Sequence, residues 1–166
     1  IVLHWTEGWH EPNAVDLEHY HFLIAQNRRG EVRVVRGDHT VADNVSTGDD
    51  DYAAHTRKLN TGSIGVALCG MVGCEERPRK PGKDPYTPAQ YGLMVKAVAQ
   101  LCDRYKIPVT PQTVLAHGEV QEVLGVRQSG KWDPMYFPWA PLVDGKTVMN
   151  RMRSEIQLEL EVSRRG

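Results

Sequence analysis

Apolar positions along the chain form short continuous or alternating runs suited to strands, and two longer stripes at helical spacing. Ile1-Val2-Leu3 runs into His4 and reads as a strand over 1–4. Asn13 can cap a short helix that turns Ala14 and Leu17 inward. Residues 21–25 and 31–35 read as two strands, and Asn27 to Gly30 between them signals a hairpin. In the second strand, Val32 and Val34 face one way and Arg33 and Val35 the other. Residues 63–69 form a buried strand, in which Gly65, with Gly70 just after it, permits close backbone approach or a bend.

The clearest helix opens at Thr87, with Pro88 at its first position and Gln90 completing a capping box. Met94, Val98, Leu101, Cys102 and Tyr105 make one stripe, and the helix should stop near Ile107-Pro108. Residues 114–116 predict a short strand and 118–143 a long irregular stretch rich in proline. A charged amphipathic helix follows from about Lys146 to Val162, with Val148, Met152, Ile156 and Leu160 on one side. The polar segment 37–62 is too long for an idle connection and reads as a binding loop, with 70–86 as a second loop. This order of elements predicts an α/β fold, a central mixed β-sheet flanked by helices. The division expected is a catalytic domain over 1–143 and an appended amphipathic helix or tail over 144–166.

Composition removes several functions. A net charge of −1 gives no excess of cations to track a phosphate backbone, so no nucleic-acid partner is expected. The clusters Arg28-Arg29, Arg57-Lys58 and Arg77 to Lys80 read as solvated loops. No apolar stretch approaches the roughly 20 residues of a transmembrane segment. The chain opens inside a core strand and not on a methionine, so residues upstream of Ile1 are expected. Three cysteines make no disulfide framework. Cys102 reads as a small buried hydrophobe, while Cys69 and Cys74 stand either free or bridged across a turn.

Candidate chemistry lies where apolar runs stop on a histidine. His4 ends the first strand and His117 ends Val114-Leu115-Ala116. Strand C-termini in α/β sheets are where sites gather. Asp133, in Lys131-Trp132-Asp133-Pro134, adds a carboxylate. Two imidazoles and a carboxylate suffice to hold a catalytic Zn2+ with one position open, here at the sheet rim. Lys131, two residues before Asp133, leaves an extended segment on the same face and could stabilise charge on a substrate oxygen; a solvated surface pair fits that spacing equally. Tyr20 is a candidate catalytic assistant, or a core phenol. His55 can line a groove, His10, His19 and His39 read as surface residues, and Glu119 either orients a histidine or caps a helix. Asp49-Asp50-Asp51 lacks the spacing of a calcium loop.

Taken in order, Val2-Leu3-His4, Tyr20-His21-Phe22, Ala54-His55-Thr56, Asn60 to Val66, Thr87 to Gln90, Ala116-His117-Gly118-Glu119 and Lys131-Trp132-Asp133-Pro134 resemble the zinc-dependent N-acetylmuramoyl-L-alanine amidases of the type-2 family. That family includes phage endolysins and the peptidoglycan recognition proteins. The resemblance covers roughly residues 1–137. It implies that His4, His117 and Asp133 hold zinc, that Tyr20 and Lys131 assist catalysis, and that His55 and Asn60 contact substrate. It further implies a peptidoglycan or muropeptide substrate, cut between N-acetylmuramic acid and L-alanine, and action on the bacterial cell wall. The alternatives are a non-catalytic peptidoglycan receptor and a zinc peptidase cutting within the stem peptide. Two departures stand out: Asp133 replaces the cysteine of many members, and Ala67 stands where some carry a catalytic glutamate.

Overall fold

A computed structural model describes residues 1–166. In chain order the elements are β1 (Val2–Trp5), α1 (Ala14–His19), β2 (Phe22–Gln26), β3 (Val32–Arg36), β4 (Gly65–Leu68), β5 (Glu75–Glu76), β6 (Arg79–Lys80), α2 (Pro88–Tyr105), β7 (Leu115–Ala116), α3 (Val120–Leu124) and α4 (Gly145–Arg165). Five strands form the main sheet in the order β3-β2-β4-β1-β7. The β2–β3 hairpin is antiparallel and every other pairing is parallel, so the sheet is mixed, as expected. β5 and β6 pair as a separate ribbon inside the 70–86 loop.

The parallel register decides where the site falls. Leu3 stands opposite Ala116, and His4 opposite Ala67. Alternation sends Leu3 and Trp5 to one face and Val2 and His4 to the other. On the first face, Leu3, Trp5, Ile24, Val66 and Leu68 meet Met94, Val98 and Cys102 of α2. Val148, Met152, Ile156 and Leu160 of α4 join the same core, and α4 packs directly on α2. His4 is thereby left on the opposite face, under the loops.

α2 starts as its sequence dictates. Thr87 accepts from the Gln90 N–H at 3.2 Å, and Gln90 Oε1 accepts from the Thr87 N–H at 3.0 Å. The Gln90 amide also donates to the carbonyls of Ile24 at 2.9 Å and Cys69 at 2.7 Å. One side chain therefore closes the capping box and ties the helix start to the middle of β2 and to the residue just after β4.

Several local expectations are corrected. Tyr105 is 41% exposed, because α2 ends there and Lys106 turns the chain left-handed. Ala14 is exposed and Asp16 is the buried residue of α1, since Asp16 and Asn13 cap one another. Residues 118–143 are not wholly irregular: α3 has five residues, too few to print a stripe. All three cysteines are free thiols.

Candidate metal centre

Because β1 and β7 run parallel and in register, both carry a histidine out at the same end of the sheet. The chain turns after β7, through His117–Glu119, and returns to the site with Asp133. That return is close: Gly118 donates its N–H to the Asp133 carbonyl at 3.0 Å. A Cβ on Gly118 would stand 2.7 Å from Met135 Sδ and 2.9 Å from Trp132 Cα, so the approach of the 131–135 segment depends on a glycine here.

His4, His117 and Asp133 converge as expected, with their ligand atoms within 4.8 Å of one another. His4 Nδ1 lies 3.1 Å from His117 Nδ1 and 3.2 Å from Asp133 Oδ2, and His117 Nδ1 lies 3.5 Å from Asp133 Oδ1. Ligands about 2.0–2.1 Å from a zinc ion stand about 3.3 Å apart at the corners of a tetrahedron. The His4–His117 and His4–Asp133 separations match edges of that figure, while His117 meets the other oxygen of the same carboxylate.

The protons point to the same conclusion. Gln128 donates its amide N–H to the Arg57 carbonyl at 2.9 Å, which leaves Oε1 to accept from His117 Nε2–H at 2.9 Å. His117 Nδ1 therefore presents a lone pair to the centre. His4 Nε2 lies 3.2 Å from His55 Nδ1, and with the proton on that nitrogen His4 offers Nδ1 in the same way. Two lone pairs and a carboxylate facing one point suit a cation.

Burial reinforces this. Desolvation lowers the His4 pKa from 6.5 to about 4. Burial alone would raise Asp133, but the His117 and His4 imidazoles set against it more than reverse that and hold it well below the usual carboxylate range. The Tyr20 phenol is raised by burial and then by the Asp133 charge, so it remains a donor. Its ring lies 5.1 Å from that of His4.

Tyr20, His117 and Asp133 line a cleft of about 660 Å³ that also takes in Lys131, His55, Asn60 and Trp132. Lys131 is exposed at its rim. His55 is buried and its ring rests on Gly65, where a Cβ would lie 2.5 Å from His55 Cγ, the close approach expected of that glycine. Asn60 lines the cleft while its Oδ1 accepts from the Thr56 N–H at 2.8 Å. His21, on the sheet's site face, accepts from the Gly65 N–H at 2.9 Å and bonds Asn44 Oδ1 at 2.9 Å, so both ring nitrogens serve structure.

Other cleft residues went unnoticed in the sequence. Gln128 and Glu7 line it, as does Arg57, expected in a solvated loop, and His19, expected on the open surface, stands at its edge. Glu7 holds a left-handed φ of 58° three residues after His4. None of these carried a periodic or motif signal. Glu119 takes the capping role and touches neither histidine directly: its carboxylate accepts from the Ala116 N–H at 2.9 Å.

The fold and this triad define a sheet-edge centre able to hold one divalent metal. The chain belongs to the N-acetylmuramoyl-L-alanine amidase family, whose sequence profile matches residues 1–136. Comparison with curated proteins gave no significant match. Among solved structures, the chain is similar to AmpDh3 from Pseudomonas aeruginosa in complex with anhydromuramic pentapeptide (17% identity, TM-score 0.56, covering 93% of this chain and 58% of that one). It is also similar to the N-acetylmuramyl-L-alanine amidase AmiD from E. coli, bound to anhydro-N-acetylmuramic acid-L-Ala-D-γ-Glu-L-Lys (20% identity, TM-score 0.56, covering 93% and 55%). The chain thus spans somewhat over half the length of these relatives.

Proposed function

We propose that this chain hydrolyses the amide between N-acetylmuramic acid and L-alanine in peptidoglycan or its fragments, with zinc held by His4, His117 and Asp133. The observation that carries this reading is the convergence of those three side chains, with His117 and Asp133 lining a cleft, in a chain of the amidase family. Muropeptides bound to the two structural relatives support the substrate class. The complete ligand set favours an enzyme over a receptor that only binds.

When bound, zinc supplies acidification of water and polarisation of a carbonyl. The protein's own groups divide the remaining work. His117, fixed by Gln128, and His4, backed by His55, keep their Nδ1 atoms aimed at the centre. Tyr20, kept protonated by burial, donates a hydrogen bond toward the reacting oxygen. Lys131 brings a positive charge from the rim to the oxygen on which negative charge develops. Arg57 and Asn60 line the cleft where stem-peptide carboxylates and amides would lie.

Digestion of purified murein followed by mass spectrometry tests the proposal. Stem peptides beginning at L-alanine should appear with the wild type and vanish with His4→Ala and Asp133→Ala, which should also lose zinc. Lys131→Ala should retain zinc and turn over about 10²-fold more slowly, the cost typical of removing one charge-stabilising donor. Intact murein would identify a receptor, cleavage inside the stem peptide would identify a peptidase, and either result would remove the proposal.

A further inference from the structure

α4 lies beyond residue 136, the last that the family profile matches, yet it reaches into the metal-binding turn. Arg153, on the buried side of α4, donates from Nη1 to Glu119 Oε2 at 2.8 Å and from Nη2 to Glu119 Oε1 at 3.0 Å. The same guanidinium donates to the Val114 carbonyl at 3.3 Å, just before β7, and to Asn150 Oδ1 at 3.0 Å. Glu119 Oε2 accepts in turn from the backbone N–H of Ala116, the residue before His117. Both members of the pair are buried, Arg153 8% exposed and Glu119 6%.

Two charges removed from water gain little net stability over a well-packed apolar pair. A two-point guanidinium–carboxylate contact does fix direction and distance. Here it fixes the strand end and turn that carry a proposed metal ligand. We propose that Arg153 is a positioning residue for His117, acting through Glu119 and the Ala116 backbone, so that the C-terminal helix is part of the metal-binding apparatus. This rests on the metal reading given above. Without the guanidinium, Glu119 would swing toward water, release the Ala116 N–H and loosen the turn.

The test compares Arg153→Met, Arg153→Lys and the wild type with Leu160→Ala, a variant that opens a cavity in the same helix. Each metal-free protein is titrated with zinc against a chromophoric chelator, and its thermal unfolding is recorded in EDTA. Arg153→Met should weaken zinc binding ten- to a hundredfold, the usual effect of losing a group that supports a ligand. Arg153→Lys, which keeps the charge but not the fork, should fall between it and the wild type. Leu160→Ala should lower Tm comparably while changing zinc affinity less than about twofold. Zinc affinity of Arg153→Met within twofold of wild type, or an equal loss in Leu160→Ala, overturns the inference. Should Arg153→Met not fold, Arg153→Lys against Leu160→Ala decides by the same criterion. A wild type that fails to bind zinc would instead remove the metal reading, and this inference with it.

Discussion

Gln128→Leu is the sharpest perturbation of the centre that leaves all three proposed ligands in place. Gln128 takes the His117 Nε2–H and donates to the Arg57 carbonyl, joining the 117–133 segment to the 37–62 loop. Each bond contributes about 1 kcal/mol when buried, and less where water can substitute. Gln128 is only half-buried, so the metal-free variant should lose about 1 kcal/mol, or about 2–4 °C in Tm. The effect on metal binding should be larger. His117 would lose the acceptor that orients its ring, and such losses cost about 10–100-fold in affinity, equivalent to about 1.4–2.7 kcal/mol. Stabilisation by a ligand in excess follows the logarithm of its concentration over Kd. The Tm gap between zinc-loaded and EDTA-treated protein should therefore shrink by a further several degrees. Chelator competition gives Kd and paired melts give the gap. An unchanged Kd together with a large loss of metal-free stability would refute the reasoning, since Gln128 would then be a loop tie and no more.

Two other outcomes follow from the same geometry. Gly65→Ala should cost several kcal/mol by unfolding measurements, because the new Cβ would lie 2.5 Å from His55 Cγ, with Cβ of that residue at 2.9 Å; a Tm within 2 °C of wild type would contradict this packing. The metal-free protein should lose stability as pH falls from 6.5 toward 4. His4 has its folded pKa lowered to about 4, so the unfolded chain takes up the proton first, and the stability present above 6.5 is lost through that window. The fall amounts to about 3 kcal/mol for His4, and His21 and His55, both lowered chiefly by burial, act in the same direction. Melts in EDTA at several pH values that show a flat Tm between 7 and 4 would sink the argument.

What the sequence revealed and what it hid divide along one physical line. The α2 start was legible because Thr87, Pro88 and Gln90 interact within one turn. The α4 stripe was legible because Val148, Met152, Ile156 and Leu160 repeat at a helical interval. His4 and His117 were visible because each stops an apolar run, and parallel register then made them neighbours. Gln128 and Arg153 gave no such sign. Their partners stand 11 and 34 residues away in sequence, and a polar residue in a polar loop or on a charged helix has no period to betray it. Glu119 fell between: both of its proposed roles fit the spacing, and only the folded chain shows it capping the turn after β7 while gripping α4.

One property of the centre, its removal from water, produces three electrostatic effects on different groups. An isolated imidazole is half-protonated near pH 6.5, and a protonated ring cannot bind metal through that nitrogen. Burial moves His4 to about 4, so at neutral pH the ring is a ready ligand and need lose no proton to accept a metal. The same burial on its own would raise Asp133, but the two imidazoles against it reverse that shift and hold it anionic, keeping the negative charge that a divalent cation favours. Tyr20 is pushed the other way, first by desolvation and then by that retained Asp133 charge, and stays a phenol able to donate. Asp133 thus does two things: it supplies the charge in the ligand set and keeps a neighbouring donor protonated. Asp133→Asn should therefore lose metal and also lower the Tyr20 pKa, which ultraviolet titration of the phenolate would register even in metal-free protein. A Tyr20 titration unmoved by that substitution would separate the two roles.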